Sequence, residues 1–517
     1  MPDILDEIVR RRREDYERLG PGFGSAIPAH RARAIVPFLS EPGAILEIKR
    51  ASPSKGDIAP DLDPVTLAQQ YIDAGAKNIS VLTEGRYFKG SLDDLIAVSS
   101  RFPGTAFLRK DFLLYEDEIE VAYRCGADAV LLIARILERP TLLKMAALCR
   151  SFGMLPFIEV REPGDVAKLE AACKAGKVLA GVNARDLATF KIDPLIPATL
   201  RTRLPCRTVF ESGAASPLAC RFARQLGFDG ILIGEAAARN PESAHDLVSG
   251  FLSARPDWVG HFWREIGRRV SARERRADAT ETAGAMNRGF VPLVKICGLT
   301  NADDALLASS LGADMLGFIF APSPRSASAF AVREIAHRIA ELERQNAANP
   351  ESRRRPLLVG VIVDPRNVEA KEAFALVLEG TLDAIQYHGD NPERDLPEID
   401  AAGGSYGIGR YAVVRLGADG DIDRIARLMK DGEPRVLVDA RVEGIAGGTG
   451  TTIPKSLVRR AAEAGNLWLA GGINPANVRK YIEEFSPELI DASSGLESVP
   501  GKKDHVLLKS FFREITR

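Results

Sequence analysis

The segment EIKRASPSKG at residues 47–56 places Glu47 and Lys49 two residues apart, behind the apolar run Ala44 to Leu46. In a strand, side chains two apart share a face, so a carboxylate and an ammonium project into one site. Ser52, Pro53 and Ser54 follow at once, and the strand empties into a loop. A buried ion pair bracing a strand would use the same two residues. The layout recurs, however. Lys110 follows the apolar run Ala106 to Leu108, Glu159 sits in PFIEV, and Asn183 and Arg185 follow VLAGV. TVFESG then delivers Glu211, Ser212 and Gly213, and GILIGEA delivers Gly234 and Glu235. Charged and small polar groups gather where short apolar runs stop, the layout of catalytic strand ends suited to acid–base work.

Positioning these groups takes a series of strands. From residue 44 to about 240, ILEIK, NISVLTE, AFLRKD, AVLLIA, PFIEV, VLAGVN, TVFES and GILIGE alternate with amphipathic stretches such as PVTLAQQYIDAGA and PTLLKMAALCRSFG. The apolar spacing of those stretches fits helices, and their terminal glycines fit C-caps. Eight such units in series favour a closed parallel barrel, and no GxGxxG follows the first strand to support a dinucleotide-binding sheet. The pattern restarts near residue 291 with PLVKICG, MLGFIF, LLVGVIV, AIQYHG, YAVVR, RVLVDA, LWLAGG and LIDASSG. The expected fold class is α/β, two consecutive (β/α)8 TIM barrels at 1–262 and 291–517, joined by a short polar linker at 263–290. Residues 4–19 form an extra amphipathic helix whose Ile4, Leu5, Ile8 and Val9 pack on the first barrel. AELERQNAANPESRRRP reads as the end of a helix running into a solvated insert.

The chain has 517 residues, 45% hydrophobic and 27% charged, with a net charge of −1. Two barrels of about 250 residues each would fill it. No bulk basic field points to nucleic acid or an anionic membrane, so an anionic ligand must be held by local groups. The six cysteines, Cys125, Cys149, Cys173, Cys206, Cys220 and Cys297, form no CxxC pair. Together with an N-terminus lacking an apolar signal core and no long apolar run, they imply a reducing compartment, the cytoplasm. The histidines are dispersed, without HxH or HExxH spacing, so no metal and no cofactor are expected.

Each half ends with glycine-bearing strand ends, where a parallel barrel commonly holds phosphate. In the first half these carry Gly213 and Gly234, the latter followed by Glu235 at a helix start. In the second, LAGGINPANV supplies Gly471 and Gly472, and DASSGLES supplies Ser494 and Gly495. Backbone N–H groups and helix N-termini there can approach an anion. Two such cups imply two phosphorylated small-molecule ligands, or one passed on.

These motifs in register resemble known families. The first half, from EIKRASPSKG through LRKDF, IEV, GVNARDL, ESG and LIGEA, resembles indole-3-glycerol phosphate synthase over residues 1–260. The second half, with KICGLT, SPR, QYHG, LVD, GGTG, LAGGINP, DASSGLES and PGKKD, resembles phosphoribosylanthranilate isomerase over about 291–517. That order matches the fused bifunctional enzyme family of tryptophan biosynthesis. The resemblance implies an Amadori rearrangement in the second half, with Asp439 as acid and Cys297 as base, given a site that raises the carboxyl pKa and lowers that of the thiol. Arg325 would hold the anthranilate carboxylate by a two-pronged contact. Asp491 would hold the amino group or a sugar hydroxyl, and Gly448, Gly472, Ser494 and Gly495 would lie near the phosphate. His388, near Gln386 on the fourth strand, would support the strand end.

In the first half the resemblance implies ring closure to an indole with loss of carbon dioxide and water. Lys110 would be the general acid at the sugar carbonyl, and Lys49 would contact carboxylate or phosphate and share in proton transfer. Glu159 and then Glu47 would serve the dehydration. Ser52, Asn183, Arg185, Glu211 and Ser212 would orient substrate. Burial would lower the Lys110 pKa and neighbouring carboxylates would raise it, leaving the balance open.

Two departures from the family pattern stand out, GGTGTTIPKSLV after Asp439 and ESGAAS at the seventh strand of the first half. The rival readings are a different sugar-phosphate isomerase in the second barrel, and one barrel serving as a silent scaffold. Covalent pairing of two barrels suggests a monomer, and a polar linker that fixes no orientation suggests free diffusion of the intermediate.

Overall fold

The computed structural model describes residues 4–53, 55–186, 190–256, 258–282, 291–346, 354–404, 407–440 and 453–517. The chain divides into two compact units, Met1–Pro256 and Asp257–Arg517.

The strands of the first unit are β1 (Gly43–Ile48), β2 (Asn78–Leu82), β3 (Ala106–Lys110), β4 (Ala129–Ile133), β5 (Leu155–Val160), β6 (Leu179–Asn183), β7 (Thr208–Glu211) and β8 (Gly230–Ile233). Neighbours in sequence pair in parallel, and β1 pairs with both β2 and β8, so the sheet closes. All eight apolar runs are strands, buried on both faces as parallel barrel strands must be. The connecting helices start and stop where the sequence says. Asp63 accepts from the Thr66 N–H at 2.8 Å to open Pro64–Asp73, and Gly75, at φ +93°, follows its end. Gly153, at φ +77°, follows Arg139–Ser151 in the same way.

Helix α1 (Ile4–Leu19) packs on the barrel as expected. Its Leu5 and Ile8 join Ile45, Leu108, Leu131 and Phe157 in one apolar cluster, which Phe38 and Leu39 also enter. It is also fastened ionically. Buried Arg12 reaches Asp111 Oδ2 at 2.8 Å and Glu118 Oε1 at 2.9 Å. Arg109 shares both carboxylates, at 3.3 and 3.6 Å. Arg109 and Asp111 flank Lys110, so this network ties α1 to the strand end that carries the lysine.

The second unit repeats the architecture with β9 (Leu293–Cys297), β10 (Met315–Ile319), β11 (Leu357–Ile362), β12 (Ala384–Tyr387), β13 (Arg410–Leu416), β14 (Val436–Ala440), β15 (Trp468–Leu469) and β16 (Leu489–Ala492). It too is a closed parallel barrel. The boundary differs from the sequence expectation. Residues expected as the end of the first barrel and the start of the linker form helix α2 (Trp258–Thr282), which belongs to the second unit. The polar composition of ARERRADATETAG hides an apolar side further upstream, where Phe262, Trp263, Ile266 and Val270 are buried. Phe262 stacks on Tyr411 at 6.1 Å and Trp263 packs on Trp468 at 5.9 Å, both near strand starts. Arg273 anchors the next turns on Asp314 at 2.5 Å. The α2 helix therefore covers the N-terminal end of the second barrel. No helix among the described residues is long and apolar enough to cross a membrane.

Removing the Arg12 guanidinium leaves the buried carboxylates of Asp111 and Glu118 with Arg109 as their remaining cation among the described residues, beside their neutral donors. Arg12→Ala should cost about 3 kcal/mol locally. Amide exchange across Ile4–Leu19 should then quicken by about 100-fold, read by hydrogen-exchange mass spectrometry. Unchanged exchange would show that the apolar contacts alone hold α1.

Candidate active sites

In the first unit the expected residues converge on the C-terminal ends of the strands. Glu47, Lys49, Ser52, Lys110, Glu159, Asn183, Arg185, Ser212 and Glu235 line one cavity. Phe88, Phe112, Leu131 and Ile133 supply an apolar wall, and Ile4, Leu5 and Ile8 of α1 close over it. Lys110 is the last residue of β3, and its Nζ lies 3.3 Å from Glu211 Oε2 and 3.9 Å from Glu159 Oε2. Lys49 Nζ donates to Glu47 Oε1 at 3.2 Å. Asn183 donates to Glu159 Oε1 at 3.3 Å and accepts from the Ser212 hydroxyl at 2.9 Å. Ser212 holds a left-handed backbone, φ +68°, followed by Gly213 at +85°. An L-residue in that conformation is strained, and here it turns the hydroxyl back onto Asn183.

Electrostatics decide the question left open for Lys110. Burial alone lowers its pKa, but Glu211, Glu47 and Glu159 outweigh burial and raise it, so it stays an ammonium. Glu211 is affected the other way. Burial is the largest influence and, despite Lys110, its pKa rises to about 8. The nearest carboxylate to the lysine is thus Glu211, which the sequence placed only as a substrate-orienting group. Two carboxylate oxygens, Glu47 Oε2 and Glu211 Oε1, are buried without a hydrogen-bond partner.

The glycines do more than approach an anion. A Cβ on Gly234 would stand 2.6 Å from Glu47 Oε1, so this position leaves room for the Glu47 carboxylate. Gly181, which pairs with Glu159, does the same for Glu211. Glu235, expected near phosphate, pairs its carboxylate with Arg239 at 3.2 Å. A carboxylate repels phosphate, so its main-chain N–H is the group that could serve. Arg185 lies at the cavity, and burial lowers its pKa against the pull of Glu235 and Glu47.

In the second unit Cys297 ends β9, Asp439 is the penultimate residue of β14, and Asp491 lies on β16. All three are buried. Asp439 Oδ1 accepts from the Ala440 N–H at 2.7 Å. His388 Nε2 stands 3.2 Å from Asp439 Oδ2 without the alignment of a hydrogen bond. Behind it Gln386 faces the imidazole at 3.4 Å and accepts from the Tyr411 hydroxyl at 2.9 Å. This chain of contacts braces the strand end. Arg325 reaches Glu497 through Nε alone, 3.0 and 2.9 Å from its two oxygens, which leaves the Nη edge for a carboxylate.

The Gly471–Gly472 turn has φ of +93° and +63°, and Asn477 donates to Gly472 O at 2.9 Å. Gly495 lies so close to the Ile473 carbonyl and Asn474 that a Cβ has no space, bringing the two expected phosphate loops together. Ser494 opens the short helical turn Ser494–Leu496 beside them. Gly448 and the divergent GGTGTT lie outside the described residues. One expectation is reversed. Burial pushes the Cys297 thiol pKa up, where a base would need it lowered.

Residues 30–248 match the family model for indole-3-glycerol phosphate synthase, and residues 294–514 match that for N-(5'phosphoribosyl)anthranilate (PRA) isomerase. A tryptophan biosynthesis protein of Phytophthora nicotianae is 30% identical over 563 residues, covering 100% of this chain and 97% of that protein. The chain belongs to this fused family. An indole-3-glycerol phosphate synthase of Mycobacterium leprae is 39% identical over 259 residues, 48% of this chain and 94% of that protein. A multifunctional tryptophan biosynthesis protein of Schizosaccharomyces pombe is 31% identical over 507 residues, 92% of this chain. The match spans 60% of that relative's length.

The sequence reading gave no role to several residues of the second site. Lys295, Gly317, Glu497 and Lys503 all lie within its charged network. Lys295 stands two before Cys297, the same spacing that singled out Glu47 and Lys49, and was legible on that ground. Glu497 and Lys503 lie in quoted motifs, but only folding brings them to Arg325.

Because the Glu211 pKa is higher folded than unfolded, the native state holds its proton between about pH 4.5 and about pH 8. First-unit stability from this group therefore falls as pH rises through that window and is level above it. Lys110, raised from 10.5, contributes evenly across the same range. Glu211→Gln should remove the fall, so the variant gains on the parent steadily from pH 5 to pH 8 in urea pulse proteolysis. A constant gap would show that Glu211 ionises normally.

Proposed function

We propose that this chain catalyses both steps its family is named for. The second barrel isomerises N-(5-phosphoribosyl)anthranilate to 1-(2-carboxyphenylamino)-1-deoxyribulose 5-phosphate. The first barrel decarboxylates, cyclises and dehydrates that product to indole-3-glycerol phosphate. The observation that carries the reading is Lys110, kept charged beside Glu47, Glu159 and Glu211 at an apolar-walled barrel mouth.

In the isomerase step Asp439 gives its proton to the furanose ring oxygen as the C–O bond opens, leaving an imine. Cys297, as thiolate, removes the proton from the second sugar carbon, and the enolamine settles to the ketone. The Arg325 Nη edge holds the anthranilate carboxylate, a planar fork on a planar anion. Asp491 Oδ1, buried and without a partner, takes the amino N–H or a hydroxyl. Gly472, Ser494 and Gly495 frame the phosphate.

In the synthase step the Lys110 ammonium sits at the sugar carbonyl and stabilises the charge that grows there as the aromatic carbon attacks. The aromatic ring lies against Phe112, Leu131 and Ile133. Lys49 holds carboxylate or phosphate. Glu159, held by Asn183, assists departure of the hydroxyl as water, with Glu47 second. Ser52, Arg185 and Ser212 orient the substrate, and Gly213 and Gly234 frame its phosphate. Both reactions need only proton transfer and charge stabilisation; the phosphorylated substrates are the proposed partners, and a cytoplasmic monomer, the two barrels being already joined in one chain, is the proposed working form.

A two-step spectroscopic assay tests this with the purified chain, following loss of phosphoribosylanthranilate fluorescence and then appearance of indole. Cys297→Ala should slow the first step by about 100-fold or more and leave the second intact when its substrate is supplied. Lys110→Ala should do the reverse. Neither step in the folded parent chain would sink the assignment.

A further inference from the structure

The second barrel holds an ammonium that these reactions leave without a task. Lys295 precedes Cys297 by two on β9, so both side chains face the barrel interior. It is 0% exposed, and its Nζ donates to Asp491 Oδ2 at 2.7 Å across the β9–β16 register pair. Cys297 has Gly317 as its own register partner on β10. A Cβ on Gly317 would stand 2.8 Å from Cys297 Sγ and 2.8 Å from Lys295 Nζ. Thiol and ammonium therefore converge on the same opening, which exists because position 317 has no side chain.

Other charges surround them. Lys503, on the strand Lys502–Lys503, has a side chain that is 0% exposed and donates to Glu497 Oε1 at 3.0 Å and Ser493 O at 3.1 Å. The Ser493 hydroxyl in turn donates to Cys297 O at 3.1 Å. The charges of Lys295 and of the thiol are felt at Tyr411 on β13, and those of Asp439 and His388 at Asp491. Arg325 stands by Gly298, next to the thiol in sequence.

We propose that Lys295 is the positioning residue that governs the proton on Cys297, its ammonium serving as counter-ion to the thiolate, in competition with Asp491 for the same charge. A thiolate in a dry site needs a fixed positive neighbour. Burial raises the Cys297 pKa most, Lys295 opposes it, Asp491 adds to it, and Lys503 opposes it more weakly. Substrate that draws a hydrogen bond to Asp491 would turn more of the ammonium's field onto sulfur. The consequence for catalysis rests on the isomerase reading, whereas the test does not.

The test is a titration of the substrate-free full chain by thiolate ultraviolet absorbance, taken as the difference from the same chain carrying Cys297→Ser. Lys295→Met should move the Cys297 midpoint up by about one pH unit or more, a tenfold loss of thiolate at a fixed pH. Asp491→Asn should move it down, and Lys295→Arg should hold it near the parent. Opposite shifts from two partners of one ion pair are not what a merely structural pair produces. Shifts in the same direction, or none, would overturn the proposal. If Lys295→Met does not fold, Lys295→Met with Asp491→Asn removes the buried pair together, and a double-variant midpoint at or above that of Asp491→Asn alone is expected. A midpoint below it overturns the idea. The expected shifts in a chain that does not turn over phosphoribosylanthranilate would support this proposal while defeating the functional one.

Discussion

An ion inside a barrel must be neutralised by its neighbours, because water is no longer there to do it. Both units meet this constraint in the same manner. A lysine on an inward-facing strand position is set against acidic side chains of other strands: Lys110 against Glu211 and Glu159 across the mouth, Lys295 against Asp491 on the neighbouring strand. The resulting clusters are over-provided with acceptors. Glu47, Glu211 and Asp491 each keep a buried oxygen without a hydrogen-bond donor. Such atoms are costly while unpaired, and a ligand that brings hydroxyl or amino groups would satisfy them.

The charged mouths depend on absent side chains as much as on present ones. Gly181, Gly234, Gly317 and Gly471 each stand where a Cβ would meet a site group: Glu211, Glu47, the Cys297–Lys295 pair and Asp439 respectively. Three of these lie on barrel strands or directly after them, in otherwise regular backbone. Their role is to make volume for functional groups inside a wall that is packed elsewhere.

Fold and first-site membership were legible because they follow from short-range rules. Apolar runs of strand length, helices closed by Gly75 and Gly153, and polar residues at run ends each carry their signal within a few positions. What escaped lies in sums over the assembled site. Whether Lys110 gains or loses its proton depends on three carboxylates from three strands, and whether Cys297 rises or falls depends on burial set by the whole barrel. The polar tail of the expected linker concealed α2 because its apolar residues, Phe262 and Trp263, precede that tail and find partners some 150 to 200 residues further on.

That helix changes what the second barrel is as a piece of chain. Its base is closed by Phe262 and Trp263 seated on Tyr411 and Trp468. A polypeptide begun at the first strand of the barrel, near residue 291, would leave two large aromatic faces at its foot open to water, and with them an adhesive patch. The smallest portable form of the second barrel therefore starts ahead of residue 258, and an engineered separation of the two halves should carry that helix with the second one.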